Sequence, residues 1–310
     1  MTTPEPLEVN TTSHRKARGA FETGGEGGTK VISLGNEGED HQTALFAASR
    51  ILPPARRRIS PKRPPTETAG LSDIFPYYAG FSFEWAYKVL QENASPGDTI
   101  LDPWNGSGTT TLAASLGSYR SIGVDLNPVA NVVASIRLMA MGRPTPLPML
   151  EVEVPHCPHE PLHAWFSPKA AARIRNWANT LSTYPAPTSA LGLVSLFRVV
   201  RGLTFNFQSS NPTWVRRVKT DRPPVDLEVN DIDRRVRTEY ETLRSRLLAG
   251  SMSSSLPTAL ITASSKKLPI RDGSVGLVLT SPPYLTRIDY AVAYARELAI
   301  LGVDILADRR

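Results

Sequence analysis

Residues 99–128 read TILDPWNGSGTTTLAASLGSYRSIGVDLNP, and their pattern decides the fold. The apolar run TIL leads into a turn that contains Gly106 and Gly108, and a run of helix-forming residues follows. A second apolar run, SIGV, ends at Asp125, and the Asn-Pro pair at 127–128 is typical of a helix N-terminus. The alternation of strand, glycine turn, helix, strand and helix predicts a parallel sheet with right-handed crossovers.

Outward from this stretch, composition divides the chain into four segments. Residues 1–70 are rich in Thr, Glu, Gly and Pro and bury too little apolar surface to offset the entropy of ordering, so they are predicted to form a disordered tail. Residues 71–141 are predicted to form the cofactor-binding half of the sheet. Residues 142–255 are predicted to be a helical insertion, because three stretches have helical spacing of apolar residues. Residues 256–310 return to the sheet.

Four buried strands are evident in the sequence, at about 98–102, 121–125, 258–263 and 275–280. The run KVISLG (30–35) is a candidate for one further short strand, and DYAVAYARELAIL (289–301) predicts a helix after the last strand.

Composition limits the class of protein. The chain has 310 residues, 41% of them hydrophobic, so it can build a core, and no apolar run is long enough for a membrane span. A single cysteine and the lack of a secretory signal predict a cytoplasmic protein without a disulfide framework. The formal net charge of +6 favours an anionic partner such as nucleic acid.

The glycine turn has the features of a cofactor loop. Glycines let a ligand approach the backbone, and the following helix N-terminus offers free N–H groups. The turn is neither G-x-G-x-x-G nor a Walker A loop, but Asp125 ends the next strand, where a carboxylate can bind both hydroxyls of a ribose. An adenosine-containing cofactor therefore fits, and a purely structural turn is the alternative.

A second motif, Thr280-Ser281-Pro282-Pro283-Tyr284, follows the apolar strand VGLVL. Ligands of open α/β sheets bind at this carboxyl edge, and two prolines make the loop rigid. A serine hydroxyl and an aromatic face suit a planar molecule with an exocyclic amine. A proline-rich turn covered by Tyr284 is the alternative.

Together, DPWNGSGTT and SPPY resemble the motifs of the S-adenosylmethionine-dependent amino-directed DNA methyltransferases, in particular the cytosine-N4 type, whose usual signatures are D-P-F-x-G-S-G-T-T and S-P-P-Y. The resemblance covers about residues 72–141 and 258–301. It implies a Rossmann-like methyltransferase sheet, S-adenosyl-L-methionine as the cofactor, double-stranded DNA as the partner, no metal, and a place in restriction–modification.

The resemblance also implies roles for individual residues. It assigns the cofactor to Asp102, Trp104, Gly106, Gly108, Asp125, Leu126 and Phe83, with Asp125 on the ribose, Leu126 against the adenine, and Phe83 from the preceding aromatic stretch. It assigns the catalytic loop to Ser281, Pro282, Pro283 and Tyr284. The loop would hydrogen-bond the amine of a flipped base, on which Tyr284 would stack. Methylation at C5 needs a Pro-Cys nucleophile, which Cys157 does not supply.

Three departures from the family pattern leave alternatives open. The cofactor motif precedes the catalytic motif, as in several tRNA methyltransferases, although Ser281 favours DNA cytosine over the Asp or Asn of those enzymes. Ser264 stands where the family has an Asp that touches the adenine. The family's sheet has seven strands, so we expect either a fragment or a second chain that supplies strands. Adenine-N6 methylation, RNA base methylation and a truncated non-catalytic remnant remain the rival interpretations.

Two other clusters have functional interpretations. His156, Cys157, His159 and His163 are close in sequence, but their spacing matches no common zinc site, and a polar loop is favoured. Basic residues are candidates for DNA-backbone contact, with solvated charge as the alternative. They are Arg56, Arg57, Arg58, Lys62 and Arg63 in the tail and Arg216, Arg217, Lys219, Arg222, Arg234, Arg235 and Arg237, with Trp214, in the insertion.

Overall fold

A computed structural model describes residues 30–33, 59–62, 73–76, 80–138, 144–147, 150, 159–209, 211, 214–249, 256–283 and 289–305. Five strands of these residues form one parallel sheet in the order β1-β5-β2-β3-β4. They are β1 (Lys30–Ser33), β2 (Thr99–Asp102), β3 (Arg120–Asp125), β4 (Thr258–Thr262) and β5 (Leu277–Thr280). The predicted Rossmann-like α/β class is therefore confirmed.

Eight α-helices of the described chain surround or extend the sheet. They are α1 (Phe83–Asn93), α2 (Thr109–Leu116), α3 (Pro128–Leu138), α4 (Pro168–Ser182), α5 (Thr188–Leu203), α6 (Val229–Ala249), α7 (Tyr290–Ala293) and α8 (Ala295–Ile300). The helix start predicted at Asn127 forms, with Asn127 Oδ1 accepting from the N–H of Val129, and Ser167 Oγ accepts from the N–H of Ala170 at the start of α4. The helix predicted at 289–301 is divided at Tyr294 into α7 and α8.

The sheet contains one strand more than the four that are evident in the sequence. β1, within KVISLG, lies beside β5, and Lys30 pairs with Leu277. Residues 59–62 are bound to the start of α1, because the N–H of Ser82 donates to the carbonyl of Pro61 at 2.8 Å. These two parts of the predicted tail are ordered because they obtain backbone partners from distant residues, which local composition does not reveal.

The helices after α3 pack into one large apolar core, in which Trp165 and Trp177 are fully buried. This core also includes Val133 of α3 and Leu298 of α8, so it is continuous with the helices that cover the sheet. A smaller cluster packs α1 and α2 against β2 and β5, around Leu90 and Leu279. The four segment boundaries remain a prediction. No described helix is both long and apolar enough to cross a membrane.

Candidate functional site

A cavity of about 380 Å³ opens at the carboxyl ends of β2, β3 and β5. This is the edge at which open α/β sheets bind ligands. The cavity brings together seven of the residues singled out in the sequence: Asp102, Trp104, Gly106, Asp125, Leu126, Ser281 and Pro283. Gly108 and Pro282 lie in the same two loops without lining it, and Tyr284 lies outside the described residues.

The glycine loop is held close to the sheet by its own backbone. The N–H of Asn105 donates to the carbonyl of Val124 at 3.0 Å, and the N–H of Gly108 donates to the carbonyl of Asn105 at 2.8 Å. Gly108 has a φ of +81° and directly precedes α2, and a Cβ atom at this position would lie 2.7 Å from the Cβ of Ala134. A glycine is therefore required both for the left-handed backbone and for the close approach of α3.

Asp125 is oriented by two backbone donors at the wall of the cavity. The N–H of Gly106 donates to Oδ2 and the N–H of Asn127 donates to Oδ1, each at 2.8 Å. Burial raises the pKa of the Asp125 carboxyl, and the two N–H groups partly oppose this effect. A carboxylate has about four acceptor positions, so each oxygen retains one for a ligand hydroxyl.

Asp102 connects the two motif loops. Its carboxylate accepts from the hydroxyl of Thr110 at 2.6 Å, from the hydroxyl of Thr280 at 2.7 Å and from the N–H of Trp104 at 3.0 Å. Burial raises the pKa of Asp102 to about 6, although these hydrogen bonds favour the charged form. The carboxylate therefore joins the glycine loop, α2 and the end of β5 at one point.

The second motif, which starts at Thr280, begins at this junction. Thr280 is buried at the end of β5, and the half-buried Ser281 follows it into the cavity. Because Thr280 is hydrogen-bonded to Asp102, the position of Ser281 depends on the glycine loop as well as on its own strand.

Two residues of the site have no obvious sequence signal. The buried Asn105 packs its amide against Gly123, where a Cβ atom would lie 2.4 Å from the amide nitrogen. Arg137 has only 1% of its surface exposed, and it donates to the carbonyl of Ser107 at 2.9 Å and to its hydroxyl at 3.0 Å. An arginine in the last turn of a helix is usually expected to face solvent, so only its tertiary contacts reveal that it supports the loop.

The cavity walls are mostly apolar. Leu126 is 68% exposed and lines the cavity together with Phe81 and with Leu298 of α8. Phe83, which the resemblance assigns to the cofactor, does not line the cavity and stacks instead on Tyr87, with ring centroids 5.9 Å apart. Phe81 of the same aromatic stretch lines the cavity.

The remaining candidates are distributed as follows. Ser264 lies after β4, where the N–H of Ala263 donates to the carbonyl of Asp125, so Ser264 is close to the cavity without lining it. His156, Cys157 and most of the basic tail lie outside the described residues. Within the described part of the chain, no group of three or more His, Cys, Asp or Glu could hold a metal ion. Trp214 and Arg216 are exposed.

Comparisons with known proteins find similarity to DNA methyltransferases. A family model described as DNA methylase matches residues 8–133, a range that includes the glycine loop and Asp125 but not Ser281. The type II methyltransferase M.BsoBI of Geobacillus stearothermophilus is 27% identical over 273 residues, which cover 74% of this chain and 52% of that protein. The chain thus spans about half the length of this relative. No solved structure matches the chain.

Two further type II methyltransferases are similar to this chain over shorter stretches. The type II methyltransferase M.MthZI of Methanothermobacter thermautotrophicus is 41% identical over 49 residues, which cover 16% of this chain and 14% of that protein. The type II methyltransferase M.MjaII of Methanocaldococcus jannaschii is 32% identical over 71 residues, covering 23% and 13%. These comparisons support a DNA methyltransferase and do not distinguish cytosine N4 from adenine N6 as the methylated atom.

Proposed function

We propose that the chain is the cofactor-binding and catalytic part of a site-specific DNA methyltransferase that methylates the exocyclic N4 of a flipped cytosine. The observation that carries the proposal is the cavity at the carboxyl edge, which is lined both by Gly106 and Asp125 and by Ser281. A methyl donor held by the first two residues would lie next to an amine held by the third. The similarity to type II methyltransferases supports the same reaction class.

The residues of the cavity fit S-adenosyl-L-methionine, the methyl donor of type II DNA methyltransferases in this family. The free acceptor positions of Asp125 suit the two ribose hydroxyls, and the exposed face of Leu126 suits the adenine ring. Trp104 and Gly106 line the same cavity and would contact the methionine part. The bound cofactor would supply an electrophilic sulfonium methyl group.

The catalytic loop would make the amine a better nucleophile. The lone pair of an exocyclic N4 is conjugated into the ring, so the nitrogen is unreactive until it rehybridises. Hydrogen bonds donated by its N–H groups to the Ser281 hydroxyl and the Pro282 carbonyl would favour the rehybridised nitrogen in the transition state. No covalent intermediate with the protein is needed. The target base must leave the duplex to reach this loop.

Radiolabelled cofactor tests the proposal directly. The chain is incubated with tritiated S-adenosylmethionine and either unmethylated genomic DNA or bulk tRNA, and the labelled nucleoside is then identified. We expect label in N4-methyldeoxycytidine. Label in N6-methyldeoxyadenosine would keep the reaction class and change the base, whereas label in tRNA would assign the chain to RNA methylation.

A pair of serine variants separates catalysis from folding. Ser281→Ala removes the proposed acceptor and is expected to lower methyl transfer at least about 100-fold while cofactor affinity stays within about threefold. Ser274→Ala, in the exposed turn before β5, is the matched control and should retain full activity. Full activity of Ser281→Ala would contradict the catalytic assignment. Cofactor binding without any transfer by the unmodified chain would mean that catalysis needs further residues.

A further inference from the structure

The exposed side chains among the described residues of 205–222 include aromatic and basic ones. Phe205 is 67% exposed and Trp214 is 68% exposed, and Arg216 and Lys219 also face solvent. We refer to Phe205, Trp214, Arg216 and Lys219 as the Trp214 surface. The sequence of 205–222 has four basic residues and one acidic residue.

The backbone beneath the Trp214 surface is fixed. The N–H of Arg216 donates to the carbonyl of Phe207 at 2.8 Å, and the indole N–H of Trp165 donates to the carbonyl of Arg216 at 2.8 Å. Val215 and Val218 pack against the large apolar core. Trp214 therefore faces solvent because its neighbours hold it there, and not because the segment lacks structure.

The Trp214 surface is anchored to elements that line the cavity. Thr204 directly precedes Phe205, and its hydroxyl accepts from Arg296 of α8 at 3.0 Å. Leu298 of the same helix lines the cavity. Arg201 of α5, one turn before Phe205, forms a buried ion pair with Glu297 of α8. The Trp214 surface and the cavity wall therefore share α8 as a common support.

We infer that the Trp214 surface binds duplex DNA beside the flipped base. The inference rests on the proposed function. Arg216 and Lys219 would neutralise phosphates, and Trp214 would pack its ring against a base or sugar. Four basic residues against one acidic residue within 205–222 give this stretch a net positive charge, which favours the anionic phosphates of nucleic acid. Binding of phosphates alone would not need an exposed indole, whereas packing against a base or a sugar would use its apolar face.

Equilibrium binding tests the inference without a catalytic readout. Binding of a fluorescent duplex to the full chain is measured by anisotropy over a range of salt concentrations, with S-adenosylhomocysteine present. Each phosphate contact contributes about 0.9 to the slope of log affinity against log salt. Arg216→Ala/Lys219→Ala should therefore lower the slope by about 1.8. Trp214→Ala should weaken binding about 5- to 100-fold at unchanged slope.

A charge-matched control lies at the other edge of the sheet. Arg120 begins β3, and Arg271 lies in the exposed loop before β5. Arg120→Ala/Arg271→Ala removes the same two charges and should change DNA affinity no more than about twofold. Cofactor binding, measured by calorimetry, should be unchanged in every variant.

The outcomes separate the two proposals. If the unmodified chain binds cofactor but no DNA, the result contradicts DNA as the substrate in the proposed function. If the unmodified chain binds DNA and the variants of the Trp214 surface bind equally well, the inference alone is overturned. An equal loss in the Arg120/Arg271 control would also overturn it, because the effect would then reflect total charge.

Discussion

Asp102 and Asp125 both end strands at the cavity, but their carboxylates are used differently. The oxygens of Asp102 accept three hydrogen bonds from the protein itself, and 3% of the residue is exposed. Asp125 accepts two backbone hydrogen bonds and keeps acceptor positions toward the cavity. The first residue is therefore suited to hold the loops together, and the second is suited to bind a ligand.

Asp125→Ala should weaken binding of S-adenosylmethionine about 10- to 100-fold, because two ligand hydroxyls lose a charged acceptor. Calorimetric titration of cofactor into the variant measures this change. Asp98→Ala is the matched control, because Asp98 caps a turn at the amino end of β2, away from the cavity. Equal cofactor affinity in the Asp125 and Asp98 variants would argue against a ribose site at Asp125.

Asp102 predicts a dependence of stability on pH. Its pKa is about 6 in the folded chain against an ordinary value of 3.8, so the protonated form stabilises the fold. This contribution is fully present below about pH 4 and is lost as the pH rises through 6, a change of roughly 3 kcal/mol. The free energy of unfolding of Asp102→Asn, relative to the unmodified chain, should rise by that amount between pH 4 and pH 7.

Urea denaturation at several pH values gives these free energies. Thr280→Val is a second, independent test of the titration of Asp102. It removes a hydrogen bond that favours the charged carboxylate, so the pKa of Asp102 should rise further and the pH midpoint should move upward. A stability difference between Asp102→Asn and the unmodified chain that does not vary with pH would show that Asp102 does not titrate in this range.

At the scale of elements, the sequence predicts what local chemistry determines. The apolar runs that end at Asp102 and Asp125 predict β2 and β3 to within one residue, and one of the stretches of helical spacing within 142–255 forms α6. The place of β1 beside β5 could not be predicted in this way, because parallel neighbours are joined by no local turn. The assignment of Phe83 to the cofactor has a similar limit, because a match to a family motif does not specify which way the side chain faces.

Gly108, at the junction of the glycine loop and α2, offers a test at this scale. Gly108→Ala should destabilise the chain by about 2–4 kcal/mol, because it adds left-handed strain and a Cβ overlap with Ala134 of α3. Gly202→Ala in α5 is the control: its Cβ meets nothing within 4 Å, so it should stabilise the helix by about 1 kcal/mol. Thermal or urea unfolding compares the two variants.

A double-mutant cycle separates the two causes. Ala134→Gly in the Gly108→Ala background removes the Cβ overlap and leaves the strained φ. We therefore expect Gly108→Ala to destabilise the Ala134→Gly variant less than it destabilises the unmodified chain, by about 1–3 kcal/mol. Additive effects would mean that backbone strain alone requires the glycine.

At the scale of the whole molecule, buried ion pairs hold the helical layer against the elements that line the cavity. Arg201 of α5 pairs with the fully buried Glu297 of α8, and its guanidinium lies 4.6 Å from the ring centre of Phe75. Arg175 of α4 pairs with Glu160 and donates to the last carbonyls of α8. The helical insertion and the cavity wall are thus parts of one packed structure.

Arg201→Met should reduce stability by about 3–5 kcal/mol, since it leaves the Glu297 carboxylate buried without its cation. Arg201→Met/Glu297→Gln, which removes both charges, should recover more than half of that loss. The free energy of unfolding of each variant in urea provides the measurement. If the double variant is no more stable than the single variant, packing of the long arginine side chain rather than charge is the dominant contribution.

The pairing of β1 with β5 has a consequence for synthesis. β5 lies between β1 and β2 in the sheet, yet the ribosome makes it after the other four described strands. Domains generally acquire structure from the N-terminus as they emerge, but β1 keeps an unpaired edge until β5 has been made. Contacts between such distant residues also slow folding. During synthesis β1 therefore stays without its partner strand for longer than β2, β3 or β4.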